Sequence, residues 1–472
     1  MTFSPARRAG TACLLAVVAI SVSVPSGQPR GAVEPGVDTS VSFKLIANRS
    51  DLALGVQSGS HTTGAKAIAK KDGNGEDLLW RLLPAENKLY KVVNIHTGAL
   101  LGIADSSPKV GALVVQRADT GSAGNVWEIA EAGGGYYKIA NSATGLTLGL
   151  AGRSARAGAS AILAAGQLWK LIPSGAAYPA PMALTGDLTV HDPSMIRTAD
   201  GTWYLFGTHG GIRISSSVDR VHFTTAGQAL SPIPSWVSAY NRGDLWAPDV
   251  SGRGGRYWLY YAASRFGVNT SAIGLATSQT GAPGSWSDQG IVYSSQASDN
   301  YNAIDPGLLE DAAGKWWLSF GSFWGGIMLI EVDPANGKQA SWNQTRYPLA
   351  RRPESPAIEG ACIYLHDKRY YLFASFDRCC RGVNSTYHIV VGRSTRVTGP
   401  YYDPSGIAMS QGGGAIVLSS HGNVVGPGGQ VVFRDGDEEL LVYHYYDGAN
   451  KGRPTLGMNR IRWDSSGWPR MQ

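Results

Sequence analysis

"HDPSMIRTADGTWYLFGT" (residues 191–208) sets a short apolar run, a polar turn and an aromatic-rich run in sequence, and the layout returns four times downstream. The later copies are "APDVSGRGGRYWLYYAAS" (247–264), "DPGLLEDAAGKWWLSFGS" (305–322), "EGACIYLHDKRYYLFASF" (359–376) and "GGQVVFRDGDEELLVYHYYD" (428–447). A third apolar run follows each: "GIRISSS", "SAIGLATS", "GIMLIEVD", "YHIVVGRS" and "PTLGMNRIRW". A fourth strand is marked by "FTTAG", "WSDQG", "ASWN" and "GPYYD". Four short antiparallel strands per unit and five units over 187–472 predict a five-bladed β-propeller. A β-sandwich explains neither the unit length nor the repeated order of turns.

Upstream lies a second repeat. "FKLIANRSDLALGV" (43–56), "YKVVNIHTGALLGI" (90–103) and "YKIANSATGLTLGL" (137–150) advance by 47 residues each time, and each unit closes on a tryptophan, Trp80, Trp127 or Trp169. Alternating apolar residues with Gly-rich turns and no helical period predict a threefold β structure over 41–174. The units resemble the ricin-type β-trefoil, a lectin fold whose repeats end in Gln-x-Trp. Only Gln167-Leu168-Trp169 keeps that form; Leu78 and Asn125 stand at the Gln position elsewhere. The resemblance places the family's sugar-contacting Asp where Gly55, Gly102 and Gly149 stand, so the tryptophans read as core residues, and two readings stay open: a carbohydrate-binding module that holds the chain near plant cell-wall polysaccharide, or one whose sugar binding is weak or lost. The whole chain is thus expected to be all-β, a β-trefoil followed by a five-bladed propeller, joined by a Pro/Ala/Gly-rich linker over 175–186.

Composition fits this. Of 472 residues 16% are charged, while 61 are Gly and 14 Trp, which favours tight turns over helices. The net charge of +6 is spread without a basic run or basic helix, which argues against nucleic acid as a partner. Arg7 and Arg8 precede the apolar "TACLLAVVAISVSV" and a Pro/Ser/Gly stretch, the order of a signal peptide over 1–30. The apolar part is short for a membrane span, so a secreted, extracellular protein with no membrane partner is expected. With Cys13 removed, Cys362, Cys379 and Cys380 remain: one disulfide and a free thiol, or three thiols. No Cys/His spacing suggests zinc.

In a propeller the first strand of each blade is innermost, and its leading end faces the central channel. Aligned on the aromatic strand, Asp192, Ala247, Asp305, Glu359 and Gly429 occupy one register; Asp192 to Tyr204, Asp305 to Trp317 and Glu359 to Tyr371 are each twelve residues. A lone Asp-Pro is ordinarily a turn, but that does not explain Glu359, which precedes Gly. Acids gathered at one axis repel, and their pKa values must separate. One then stays protonated as an acid while another stays ionised as a base, which is what glycoside hydrolysis requires. Trp246 and Phe266 offer aromatic faces to sugar rings, and His191, Asn302, Ser322 and His444 offer polar contacts.

The stretches "HDPS", "DLWAPDV", "NTSAIGLATS", "NAIDPGL", "WLSFGSFWGGI", "IEGACI", "SFDRCCRGVNSTY", "GPGGQ" and "LVYHYYD" span all five blades, and on them the region 189–469 resembles the arabinanases of glycoside hydrolase family 43. The resemblance implies an inverting hydrolase of α-1,5-linked L-arabinan, with Asp192 as general base, Glu359 as general acid and Asp305 raising the acid's pKa. Many relatives carry a His after "GPG" that helps to hold calcium; Gly429 stands there, so no required cofactor is read, calcium is what the resemblance alone implies, and the metal ligands stay unknown. His444 in "VYHYYD" can approach the channel or serve as a hydrogen-bonded structural residue. The expected product is a monomeric, endo-acting enzyme. An exo-acting arabinofuranosidase or β-xylosidase on the same propeller, and a non-catalytic carbohydrate-binding protein, are the alternatives; retention of all three acids speaks against the last.

Overall fold

The computed structural model describes Met1 and residues 37–472 except 49, 105–108, 154–155 and 177. The expected signal segment, Met1 aside, lies outside the described residues. Among these, no helix is long and apolar enough to cross a membrane.

In the N-terminal domain six strands pair in a closed ring: Val41–Ala47, Leu79–Pro84, Tyr90–Asn94, Val126–Gly133, Tyr136–Asn141 and Trp169–Ala176, the last returning to the first. Three hairpins, Leu52–Val56/Ala67–Lys71, Leu100–Ile103/Val114–Arg117 and Thr147–Leu150/Ala161–Ala164, are joined to one another by single bridges. The 47-residue repeat reappears as chemistry. Trp80, Trp127 and Trp169 are fully buried, and their indole N–H groups donate to the carbonyls of Leu54 (2.9 Å), Leu101 (2.8 Å) and Leu148 (2.9 Å). They are core residues, each with its one polar atom satisfied. The glycines expected to replace sugar-binding Asp residues have a packing cause. A Cβ on Gly55 would lie 2.7 Å from Leu78, one on Gly102 2.3 Å from Asn125, and one on Gly149 3.1 Å from Gln167. An Asp at any of the three would have to push those side chains aside.

The C-terminal domain is five four-stranded antiparallel sheets. Their first strands are Ser194–Arg197, Trp246–Arg253, Gly307–Glu310, Ile358–His366 and Val424–Asp435, each touching the first strands on either side, with the fifth touching the first. This is a five-bladed propeller. Successive residues of the second strands serve opposite neighbours, as the strand period requires. Trp258 and Tyr260 pack toward blade three, Leu259 and Tyr261 toward blade one, and one buried apolar cluster fills each of the five junctions between blades. The fourth strands of blades three and four come later than the sequence suggested. Tyr347–Ala350 and Ala415–Leu418 hold those edges, while Ser341–Trp342 is a turn and Tyr402 makes two isolated bridges outside any strand, to Arg393 and Ala408.

The segment before blade one does more than connect. Thr185–Gly186 adds a fifth, parallel strand to blade one, while Met182 N–H and Leu188 O bond Met458 and Leu456 of blade five. The chain thereby runs through the seam between first and last blades, its Met182, Leu184 and Leu188 packed on the apolar cluster there. The N-terminal domain rests on blade four, with Leu83, Val93 and Leu100 against Ile416. Beside that contact lies a buried group of charges, Lys91 and Asp119 from the N-terminal domain with Arg352 and Asp377 from the propeller.

Trp127→Ala is expected to lower stability by about 3–5 kcal/mol, read as a shifted midpoint in urea; an unchanged midpoint would remove Trp127 from the core.

Candidate active site

A cleft of about 810 Å³ opens at the leading ends of the first strands and is lined from all five blades. Asp192, Asp305 and Glu359 all line it, but not from one register. Ser194, Asp249, Gly307, Cys362 and Val431 face the second strands at equivalent points. Two residues before each stand Asp192 (φ 48°), Ala247 (φ 42°), Asp305 (φ 56°), Gly360 (φ 62°) and Gly429 (φ 57°). Glu359 is therefore one residue ahead of the Asp192–Asp305 layer, in a second layer with His191, Trp246, Ile304 and Gly428. The equal twelve-residue spacing misled because blade four turns through two residues, Asp367 and Lys368, both at positive φ, where blades one and three use five, while each of its flanking strands runs one residue longer, a net shortening of one. Side chains of adjacent strand residues normally point to opposite faces. The left-handed residue breaks that alternation, so His191 and Asp192, and likewise Ile304 and Asp305, face the same cleft.

Asp192 is surrounded by donors. Thr208 Oγ1 donates to its Oδ2 (2.6 Å), His191 Nδ1 lies 2.8 Å from the same oxygen, and its backbone N–H donates to His444 Nδ1 (3.1 Å). Burial pushes the carboxyl upward, but His191 by charge and hydrogen bond, then His444 and Thr208, outweigh it and hold Asp192 well below the usual carboxylate range. His191 is itself raised: burial opposes its charge, and Asp192 and then Glu359 override burial. Its other nitrogen meets Tyr446 OH at 2.9 Å, and the ring stacks on His444 at 3.8 Å.

Glu359 has the opposite surroundings. Burial, helped by the Asp192 charge, raises it to about 7 against the Ser322 hydroxyl, which donates to Oε2 at 2.6 Å, and the cations His191 and Arg378. Tyr387 OH donates to Oε1. Asp305 is likewise raised, by burial first, then by Glu359 and Asp192, although Gly360 N–H donates to it at 3.0 Å. The Asp305–Glu359 pair thus carries a proton near neutrality while Asp192 is ionised.

The expected sugar contacts divide. Trp246 and Phe266 line the cleft edge-to-face, 6.4 Å apart, with Phe266 80% exposed. Ser322 and Asn302 line it too, but both side chains are engaged, Ser322 by Glu359 and Asn302 by Ser271 (2.7 Å). His444, expected to contact substrate, is fully buried and lies beneath Asp192, so in this conformation no sugar reaches it. Its Nε2 is buried without a partner. A Cβ on Gly429 would lie 2.6 Å from Asp192 Oδ1 and 2.9 Å from the His444 ring, so His444 fills the space that a side chain at 429 would need. Thr208, Tyr387, Phe323, Trp324 and Arg378 also line the cleft and were not picked out from the sequence. Tyr387 lies within a stretch used for the resemblance, but 28 positions from Glu359 nothing local marks it as a partner. Cys379 and Cys380 are bonded to each other on the cleft wall, and Cys362 is a free, partly buried thiol whose pKa desolvation pushes up to about 12.

One carboxyl held ionised and another held protonated, in a cleft with aromatic walls, is the equipment of a glycoside hydrolase. Residues 185–469 match the family described as glycosyl hydrolases family 43, and residues 76–169 match the ricin-type beta-trefoil lectin domain-like family. The chain belongs to glycosyl hydrolases family 43 and carries an N-terminal ricin-type lectin-like domain. It is 43% identical over 320 residues (66% of this chain, 95% of the relative) to an extracellular endo-alpha-(1->5)-L-arabinanase of Bacillus subtilis. It is 41% identical over 300 residues (60% and 86%) to an extracellular exo-alpha-(1->5)-L-arabinofuranosidase of Cellvibrio japonicus. The solved endo-arabinanase of Bacillus licheniformis superposes with a TM-score of 0.58 at 45% identity, covering 61% of this chain and 99% of that one.

Ser322→Ala removes a donor that favours ionised Glu359, so the Glu359 titration should move above 7, read from carboxyl ¹³C shifts; a downward move would contradict the assigned hydrogen bond.

Proposed function

We propose that this chain is a secreted, monomeric, endo-acting hydrolase of α-1,5-linked arabinan that inverts the anomeric centre. The observation that carries the reading is the opposed protonation of Asp192 and the Asp305–Glu359 pair across one cleft. Asp192, kept ionised by His191 and Thr208, takes a proton from water as the water attacks the anomeric carbon. Glu359, protonated near neutrality, gives its proton to the leaving glycosidic oxygen as the bond breaks. Asp305 shares the proton of the coupled pair with Glu359, and Gly360 N–H holds it in place. Trp246 and Phe266 supply apolar faces for sugar rings. His191 acts through Asp192, and Asn302 through Ser271 and the cleft floor.

Lining by all five blades favours several sugar units over one, which supports internal cleavage. The lectin-like domain is read as a β-trefoil over 41–174 because its six-strand ring and three hairpins follow the threefold repeat. For calcium, His444 Nε2 is the one buried unpartnered ligand atom at this place. His191, Asp192 and His444 offer ligand atoms within 4.8 Å of one another, with His191 and Thr208 engaging only Oδ2 of Asp192; calcium seeks six to eight oxygens, so water would supply most of its shell. Its charge would reinforce the ionised state of Asp192.

Purified protein is expected to release short oligosaccharides of mixed length from linear arabinan before monomer accumulates. Monomer alone from the first minutes would favour the exo reading, and no cleavage by folded protein would end both. Asp192→Ala and Glu359→Gln should each lower kcat by roughly 10²–10⁴-fold with the fold intact. Activity needs Glu359 protonated and Asp192 ionised. The rate should therefore hold below pH 7, fall as pH rises through about 7, and show no acid limb at an ordinary Asp pKa. A kcat/KM profile that climbs through pH 7 would reverse the assignment of acid and base.

A further inference from the structure

The domain contact continues into the cleft. Arg352 is fully buried; its guanidinium binds Asp119 Oδ1 at 2.6 Å and Asp377 Oδ1 at 2.6 Å, and Lys91 Nζ closes the square on Asp119 (2.7 Å) and Asp377 (2.5 Å). His388 fits against both carboxylates. Each domain supplies one cation and one carboxylate, Lys91 with Asp119 and Arg352 with Asp377, and each cation bridges both carboxylates, so the pairs Lys91–Asp377 and Arg352–Asp119 cross the domain contact. Such a group is costly to desolvate, and losing one member leaves a buried charge uncompensated.

Its position gives it a use. Arg352 also donates to Ala357 O (3.1 Å), two residues before Glu359, and Asp377 N–H donates to the same carbonyl (3.0 Å). Asp377 directly precedes Arg378, Cys379, Cys380, Arg381 and Gly382, all of which line the cleft. Arg378 and Arg381 in turn reach Glu86 of the N-terminal domain, at 3.3 and 2.7 Å. The start of the strand that carries Glu359 and the wall that follows its partner strand are thus tied to the N-terminal domain through Arg352, Asp377, Arg378 and Arg381.

We propose that the lectin-like domain is a positioning element of the catalytic cleft: Lys91 and Asp119 complete the charge group that fixes Ala357 and Asp377, and Glu86 holds the Arg378–Gly382 wall. Lys91 is a positioning residue for Glu359, and Glu86 one for the wall that meets the substrate. The inference rests on the hydrolase reading above.

The test uses the full chain with linear arabinan, comparing wild type with Lys91→Met, Lys91→Arg and Glu86→Gln. Cleavage by wild type establishes the reading itself, so its failure is separate from failure of the inference. Folded Lys91→Met should lose at least about tenfold in kcat with KM within about twofold. Its amides over 377–382 should exchange hydrogen faster, and Lys91→Arg should recover most of the rate. Wild-type kcat in folded Lys91→Met would overturn the proposal. Should Lys91→Met fail to fold, Glu86→Gln decides, since that side chain is half-exposed. A rise of about threefold in KM at retained kcat supports the proposal, and an unchanged KM overturns it.

Discussion

Each inner strand enters the channel through one residue at positive φ, and the site hangs on that bend. At Gly360 and Gly429 it costs little; at Asp192, Ala247 and Asp305 it is a strained conformation for an L residue, of order 1–3 kcal/mol each. The bend breaks the alternation of the strand, which lets two consecutive side chains per blade face one cleft. It also packs the blades closely: the Gly360 and Gly429 bends lie against each other, and Ser375 and Gln430 bond across them, Ser375 Oγ to Gln430 Oε1 at 2.8 Å and Gln430 Nε2 to Gly360 O at 2.6 Å. A side chain at either glycine would press on Asp192, His444 or Ser375. Backbone geometry, more than the choice of acids, gives this channel its two layers of functional groups.

Within those layers the acids differ by their neighbours. Asp192 sits among a hydroxyl and two imidazoles, one of them with its pKa raised, and is kept as an anion. Glu359 and Asp305 sit in low-dielectric surroundings near other negative charge and are kept from ionising together. Three carboxyls of similar intrinsic acidity thereby take different states at one pH. Where the protein also spends buried charge, at Lys91, Asp119, Arg352 and Asp377, the charges are balanced and bonded. Removal of a single member there typically costs about 3–5 kcal/mol.

The propeller was legible because its repeat is written in turns and aromatic strands, and the five junctions between blades follow from period two. The three acids and the aromatic wall were legible as well. The layer of Glu359 was not, because counting along the chain cannot see that Asp367–Lys368 shortens one turn and that Gly360 takes the bend. The outer strands of blades three and four were misplaced because edge strands carry little apolar pattern. Thr208 and Tyr387 escaped for a different reason: a hydroxyl acquires meaning only from the carboxyl folded against it. His444 read as a channel residue because "VYHYYD" alternates, yet its blade turns that ring under Asp192. The pairing of Cys379 with Cys380 instead of Cys362 likewise depends on which side chains the fold leaves adjacent.

The stretch from Met182 to Thr189 has a consequence beyond its hydrogen bonds. A propeller is a ring cut once, and its weakest place is the seam between first and last blades. Here the seam is sewn by the chain that arrives from the N-terminal domain, paired to blade one on one side and to blade five on the other. The same domain grips blade four from outside. Opening the ring therefore means pulling out the thread by which the other domain is attached, and the two domains share one mechanical fate.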